Sequence, residues 1–477
     1  MIQPLRDTSY FPQNGSLVML WAYITSKNMH ILNLIQIPFA FIFALSTYSI
    51  AKKLNIKNPA VTIPIILFTP VVMLLCSVSY VDLMFGCFIV AGINFILGYS
   101  QTKKPLFVML SCIALGLSAG MKPAGIIAIP IGLIFLIFSY NQKTSRNNII
   151  IGGVLLFAAG GFWYIRNLIL TGNPVFPYTI KLLGVKLFKG TIAVHSASDY
   201  SKWFVNTPLE WFLYPIKEKV RGEFAYSIEN GFGVQFALGI VSLIYSIYLS
   251  VIKKDKQSLL IFMLFPVLIF FWLISNNCPV PRYIVFICSI TAVATAYVYD
   301  DLNTWQKKIM GGLILYCLFF SFITSLPRLV PYQANISGEY FKTKKVSQYK
   351  YYKMIYGSIA NAWEWMNDNA PDGSVIAYSH QELTTPLYGQ RLQHDIVQVP
   401  AYKTLYKESF VAQSYEEWAA QLEKHGANYF FAWVPHWNKG AVHKDYFWAR
   451  EHPEIFKKLK EWEGGVKYPI ILYKVMD

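Results

Sequence analysis

Hydrophobic positions in this chain come in long unbroken runs, not in strand-like alternation or in the one-sided stripe of a surface helix. About 20 consecutive apolar residues make a helix that crosses a bilayer. Ten such runs are predicted as spans, over 29–51, 59–79, 82–100, 105–121, 124–140, 148–165, 232–252, 257–275, 283–299 and 308–326. The fourth and fifth are short and meet at a tight Met121-Lys122-Pro123 turn. One or two runs of this kind can belong to the core of a soluble protein, but ten in succession cannot.

The pattern changes after the last run. Residues 327–345 are polar and contain proline, and read as a linker. Beyond them, apolar alternation predicts strands at SVIAYS, HDIVQV, NYFFAW and GVKYPIILYKV. Amphipathic helices are expected at SIANAWEWMNDN, SYEEWAAQLEKHGA and HKDYFWAREHP. Strands interleaved with helices suggest a small α/β domain over 346–477 with a mainly parallel sheet. It carries no GxGxxG, P-loop or nucleophile elbow, so its expected role is to cover a site in the membrane part. The predicted architecture is an α-helical polytopic membrane domain, 29–326, an outer juxtamembrane segment, 1–28, a long outer loop, 166–231, the linker and the C-terminal domain.

Charge assigns the sides. The chain holds 42 Lys+Arg against 26 Asp+Glu, a formal +16, yet only 14% of it is charged and 55% is hydrophobic. Twelve bases fall in one set of loops: Lys52, Lys53, Lys57, Lys103, Lys104, Lys143, Arg146, Lys253, Lys254, Lys256, Lys307 and Lys308. Three acids accompany them, Asp255, Asp300 and Asp301. By the positive-inside rule that side is cytoplasmic. The opposite side then carries 1–28, 166–231, 276–282 and everything after 327, where 18 bases meet 16 acids. The basic excess is thus mostly a topology signal, and no nucleic-acid partner is needed to explain it.

Few residues are placed to do chemistry. Between Asp7 and Asp199 the only carboxylate is Asp82, at the outer junction of the second and third spans. A lone acid in membrane sequence is a functional candidate, with snorkelling to water as the plain alternative. Lys122, Arg166 and Arg282 stand at outer span ends, where positive-inside bias should deplete bases. Each alone would serve as a headgroup anchor; together they favour a phosphate, which Arg binds in a bidentate fork. Candidate cleft residues are Tyr10 and Asn14 of SYFPQNGS, Tyr80 beside Asp82, Asn173 of TGNPVFPY, and His195 of the 166–231 loop. That aromatic loop reads equally as an interfacial helix or as part of a cleft. The eight histidines show no HExxH or HxxxH spacing, and the six cysteines show no CxxC spacing, so a zinc site and a disulfide framework are not indicated.

In chain order, YFPQNGSLVMLW, NLIQIPFAFIFALSTYSIAKKL, SYVDL, GLSAGMKPAGIIAIP, RNLILTGNPVFP and PRY resemble the bacterial integral-membrane GT-C glycosyltransferases. The likeness is to the protein-mannosyltransferase and lipopolysaccharide-sugar-transferase kind, and AWEWMNDNAPDGSVIAY with PLYGQRLQ resembles their outer domain. The resemblance implies transfer of a sugar from a polyprenyl-phosphate donor to an extracytoplasmic acceptor, in a cell membrane. It implies that Asp82 is the second acid, at the donor-phosphate or metal site, with a divalent cation as a possible cofactor. Lys122 and Arg282 then lie near the donor phosphate.

The family's general base belongs to a first outer loop after a first span, and neither precedes YFPQNG here; Asp7 does not take that place. An N-terminus outside without an export signal leads to the same expectation, a missing leading helix. The alternatives are an inactive or truncated chain of the same kind, and a transporter or flippase. The latter predicts mid-membrane charges and a two-fold repeat, neither of which the sequence shows.

Overall fold

The computed structural model describes residues 10–26, 29–141, 144–182, 185–190, 192–193, 231–275, 281–343, 352–353, 357–379, 385–399, 401, 412–433, 444–463 and 469–476. The chain divides into two compact units. One comprises Pro12–Leu170 and Val194–Pro331; the other comprises Met1–Phe11, Thr171–Ala193 and Tyr332–Asp477.

The first unit is helical. Its elements are α1 (Asn14–Ser26), α2 (Met29–Leu34), α3 (Ile37–Lys53), α4 (Thr62–Leu67), α5 (Pro70–Leu75), α6 (Asp82–Thr102) and α7 (Pro105–Ala119). They are followed by α8 (Ala128–Asn141), α9 (Arg146–Leu156), α10 (Phe162–Thr171), α11 (Val234–Ile252), α12 (Lys256–Ser275), α13 (Ile287–Asp301) and α14 (Thr304–Thr343). Among the described residues five helical stretches are long and apolar enough to cross a membrane: Asp82–Thr102, Pro123–Tyr140, Arg146–Thr171, Val234–Ile252 and Thr304–Ser325. Pro105–Ala119 and Lys256–Phe265 are shorter and also apolar. This is a multi-pass membrane protein.

Three sequence expectations change here. The runs at 29–51 and 59–79 are not continuous helices. The first breaks at Ile35-Gln36, and the second is divided into a 3-10 turn (Pro59–Val61), α4 and α5. Pro59, Pro64 and Pro70 each remove a backbone donor, which hydropathy does not register. The segment 1–28, read as an outer tail, contains α1. Thirteen residues rise about 20 Å, short of a hydrocarbon core of about 30 Å. Leu17, Leu20, Trp21 and Ile24 form its exposed apolar ridge at i, i+3, i+4 and i+7. The stretch 327–345, read as a linker, continues α14 to Thr343. Once a helix is nucleated, each added residue costs little, so polar composition did not end it.

Helix α6 lies at the centre, with Leu83, Met84, Cys87 and Ile89 fully buried. Buried hydroxyls tie it and its neighbours together. Ser111 of α7 donates to the Gly92 carbonyl of α6 (3.1 Å), Thr47 of α3 to Ser289 of α13 (3.0 Å), and Ser246 of α11 to the Ala294 carbonyl of α13 (3.1 Å). Such interhelical bonds replace the hydrophobic drive that lipid does not supply. Helix α7 also closes on a π-helical turn, Phe157–Gly161, between α9 and α10. A Cβ on Gly160 would stand 2.0 Å from the Gly116 carbonyl oxygen. The loops expected to share one side do meet. The Lys57 amide donates to Asp300, Gln101 donates to the Lys53 carbonyl (2.6 Å), and Lys253 pairs with Asp301.

The second unit holds two sheets. In the smaller, β1 (Tyr178–Leu182) pairs antiparallel with β2 (Val185–Phe188) and parallel with β3 (Ile192–Ala193). The larger contains β4 (Val375–Tyr378), β5 (Asp395–Gln398), β6 (Tyr429–Ala432), β7 (Phe456–Trp462) and β8 (Ile470–Val475), in the order β5-β4-β6-β8-β7. Helices α15 (Ile359–Asn369), α16 (Tyr415–Lys424) and α17 (Lys444–Glu451) accompany it. Alternation along β8 feeds two cores. Ile470 and Leu472 pack with Trp363 and Met366 of α15, while Ile471 and Tyr473 pack with Trp418 and Leu422 of α16 and Tyr446 of α17.

The sheet is mixed. The β4–β5 and β4–β6 pairs are parallel, but β6–β8 and β8–β7 are antiparallel. Strand β7, FKKLKEW, was not foreseen because an edge strand need not alternate, and five consecutive residues after Phe456 are exposed. Its lysines blunt an edge that would otherwise template aggregation.

Candidate functional site

Asp82 opens α6, and its carboxylate is buried. The local chain explains the placement. Helix α5 ends at Leu75, a turn carries the chain through Tyr80, and α6 begins with Asp82 in its first turn, where a negative charge meets the positive end of the helix dipole. Gln36, completely buried at the start of α3, fixes that turn. Its Nε2 donates to the carbonyls of Leu75 (2.9 Å) and Val78 (3.0 Å), and its Oε1 accepts from the Leu83 amide (2.9 Å). One amide side chain thereby satisfies an orphan donor of α6 and two acceptors behind it. Sequence reasoning missed Gln36; the only trace was a polar residue inside an apolar run.

Lys122 reaches Asp82 from the turn after α7, Nζ to Oδ1 at 2.5 Å, with side-chain exposures of 10% and 5%. Its ammonium lies 4.5 Å from the ring centroids of both Phe85 and Tyr283. Ser118 near the end of α7 donates to the Phe85 carbonyl, fastening that turn to α6 (3.2 Å). Arg282, from the 3-10 turn Pro281–Ile284, stacks on Tyr80 at 4.2 Å and lies 5.2 Å from Tyr283. Asp82, Lys122, Arg282 and Tyr80, candidates from three places in the sequence, thus share one site, with Tyr283 as the ring common to both bases.

Other candidates go elsewhere. Arg166 donates to Asn167 Oδ1 (2.8 Å) and lies over Trp163, 4.9 Å from its ring. Asn14 acts as a tether. It donates to the Ala159 carbonyl of the π-helical turn (2.8 Å), accepts from the Trp163 indole (2.8 Å), and its backbone amide bonds the Gly120 carbonyl (2.9 Å). The fit is close enough that a Cβ on Gly120 would sit 2.1 Å from the Asn14 amide. In the second unit Asn173 is 1% exposed. Its side chain accepts from the Val175 amide (3.0 Å) and donates to the carbonyls of Tyr178 (2.9 Å) and Lys189 (3.1 Å), so it holds a turn. Tyr10 packs edge-on against Phe176, and Phe11 stacks on Tyr178, so the two aromatic turns fold together. His195 lies outside the described residues, as do Asp7, Asp199, most of the aromatic 166–231 loop and Cys278.

A divalent cation finds little here. No group of three His, Cys, Asp or Glu side chains gathers among the described residues. Asp82 faces an ammonium, which would repel a metal ion from the same oxygen. The described residues do not by themselves fit a cation, and no chemistry below is routed through one.

Residues 9–289 match the family described as a domain of unknown function, DUF8201. The chain belongs to this family. No curated protein matches it in sequence. Among solved structures, this DUF8201 chain is similar to ArnT from Cupriavidus metallidurans bound to undecaprenyl phosphate. The TM-score is 0.51 at 12% identity, over 97% of this chain and 87% of that one. It is also similar to the oligosaccharyltransferase AglB from Archaeoglobus fulgidus, in complex with an inhibitory peptide and a dolichol-phosphate. There the TM-score is 0.45 at 13% identity, over 97% of this chain and 66% of that one. A complex of the Archaeoglobus fulgidus oligosaccharyltransferase with Zn and sulfate matches at TM-score 0.47 and 14% identity, with 98% of this chain and 65% of that one covered. The chain thus spans about two thirds of the archaeal enzyme's length. The likeness to ArnT places the fold in the GT-C class.

Proposed function

We propose that this DUF8201 chain is a membrane glycosyltransferase that takes a sugar from a polyprenyl-phosphate donor and passes it to an extracytoplasmic acceptor. The observation that carries the reading is the buried Asp82–Lys122 pair beside Arg282, Tyr80 and Tyr283, in a chain of GT-C fold. Two cations beside one carboxylate suit a phosphate ester whose charge grows as it leaves. The undecaprenyl phosphate bound to ArnT supports that class of ligand.

In the proposed reaction an acceptor hydroxyl attacks the anomeric carbon while the bond from that carbon to the phosphate oxygen breaks. The phosphate keeps the electron pair, and Lys122 and Arg282 stabilise the charge that develops on it. The hydroxyl proton is released to water on the outer face. Asp82 takes the second-acid role, orienting the acceptor against the donor. On this reading the helices make about ten crossings, with Asp82 and the C-terminal α/β unit on the outer side of a cell membrane. The lysine-rich loops that meet at the other end support that orientation.

The test is transfer of labelled sugar from a polyprenyl-phosphate donor by the purified chain in nanodiscs. Asp82→Asn, Lys122→Gln and Arg282→Gln should each lower the rate by about 10²-fold. Unchanged rates in all three would remove these residues from the reaction and the reading with them.

A further inference from the structure

Asp82 and Lys122 do more than stand in one site: each already satisfies the other. A buried ammonium needs a counter-charge, and stripping one partner from a buried pair leaves an uncompensated ion. Asp82 fills that position in the protein itself, at 2.5 Å from Lys122 Nζ. The rings of Phe85 and Tyr283, each 4.5 Å away, keep the ammonium in place. Arg282 adds a second cation across Tyr283. A phosphate entering here must therefore share Lys122 with a carboxylate, in a field of two positive charges and one negative.

We infer that Asp82 is an internal competitor for the phosphate, and that it weakens the hold on the spent lipid phosphate more than on the sugar-loaded donor. The inference rests on the polyprenyl-phosphate reading above. The difference follows from charge. A phosphodiester donor carries one negative charge, whereas the monoester left after transfer carries about 1.5 to 2 at neutral pH. Attraction to Lys122 and Arg282 and repulsion by Asp82 both scale with that charge. Without Asp82 the field becomes more positive, and the more highly charged ligand gains more. Asp82 is thus a specificity-determining residue that keeps the product from being trapped. A purely structural counter-ion predicts the opposite sign, since its removal damages the site and lowers every affinity.

The experiment measures binding of undecaprenyl phosphate, its methyl diester and undecaprenol to the full chain in nanodiscs. Wild type is compared with Asp82→Asn, Asp82→Ser, Lys122→Gln, Arg282→Gln and the Asp82→Asn/Lys122→Gln double variant. The serine variant stands in if asparagine does not fold. Removing Asp82 should tighten the monoester about tenfold and the diester about threefold, with undecaprenol unmoved. Measured against Lys122→Gln, the double variant should keep only part of the gain, because relief of repulsion by Asp82 remains while the share from freeing Lys122 is lost. Wild-type binding that depends on Lys122 and Arg282, with no tightening when Asp82 is removed, overturns this inference and leaves the phosphate site standing. Equal binding of undecaprenol and undecaprenyl phosphate in every variant overturns the phosphate site and this inference together.

Discussion

At the scale of single residues, the decisive groups are amides as much as charges. Gln36 makes three hydrogen bonds, all to the segment 75–83 that carries Asp82. Gln36→Leu has similar volume and no polar atoms, so it leaves the Leu83 amide and two carbonyls unpaired in a buried place. Each orphaned group costs about 1–3 kcal/mol, and the Asp82 turn loses its anchor. The expected outcome is a lower unfolding temperature together with a loss of lipid-phosphate binding comparable to that of Lys122→Gln. Asn14 makes the contrasting case. Asn14→Ala should cost about 1–3 kcal/mol of stability by freeing the Ala159 carbonyl and the Trp163 indole. Lipid-phosphate affinity at a temperature where the variant is folded should stay near wild type. If Asn14→Ala abolishes binding while stability is untouched, Asn14 belongs to the cleft after all.

At the scale of elements, breaks in helices matter more than their lengths. Continuous hydropathy predicted spans at 29–51 and 59–79, and the chain breaks both. The break at Gln36 and the turn after α5 are what bring a buried amide to the start of α6. Helix α7 and the π-helical turn show the same economy of space: Gly160→Val puts two methyl groups where the Gly116 carbonyl already stands. Overpacking costs about 1–3 kcal/mol and more against rigid backbone. Gly160→Val is expected to lower the yield of monodisperse protein, while Gly311→Val, with open space around it, is not. In the C-terminal unit, burial of His425, and then the charge of Lys424, hold its imidazolium pKa below the usual value. The sign follows: below about pH 6.5 the unfolded chain takes up the proton more readily than the folded one. The end of α16 therefore loses protection as pH falls from 7 to 5. Amide exchange in α16 of the full chain should accelerate over that window after correction for intrinsic rates, and His425→Gln should flatten the change.

At the scale of the whole molecule, one end of the helical unit gathers lysines and their acids, and the other gathers Asp82, Lys122 and Arg282. The proposed orientation puts the first end in the cytoplasm. Single cysteines at exposed Lys104 and at exposed Asp372 of the C-terminal unit test it, in a background freed of native cysteines. A membrane-impermeant maleimide added outside intact cells should label Asp372→Cys and spare Lys104→Cys. Labelling of Lys104→Cys alone would invert the orientation. Here the strength of the sequence reading lies in repetition: no single run proves a membrane protein, but many runs, with twelve bases against three acids in alternate loops, do.

By itself the sequence determined the membrane class, the helices α6, α7 and α11, the strands β4, β5, β6 and β8, and the singularity of Asp82. Each of these depends on local hydropathy, periodicity or a count, quantities that the chain carries wherever it folds. It also singled out Lys122, Arg282 and Tyr80, because bases at outer span ends and a ring beside a lone acid are visible without coordinates. Only the tertiary structure decided that these meet, that Lys122 is already paired, that Asn14 spends its amide on Ala159 and Trp163, and that Asn173 spends its amide on backbone. The partners are far apart in sequence, 40 residues for Lys122 and Asp82 and 145 for Asn14 and Ala159. Hydropathy ranks residues by their taste for lipid. Which donor finds which acceptor is settled by how the helices pack, since in a medium without water a buried polar group is satisfied only by what the fold brings to it.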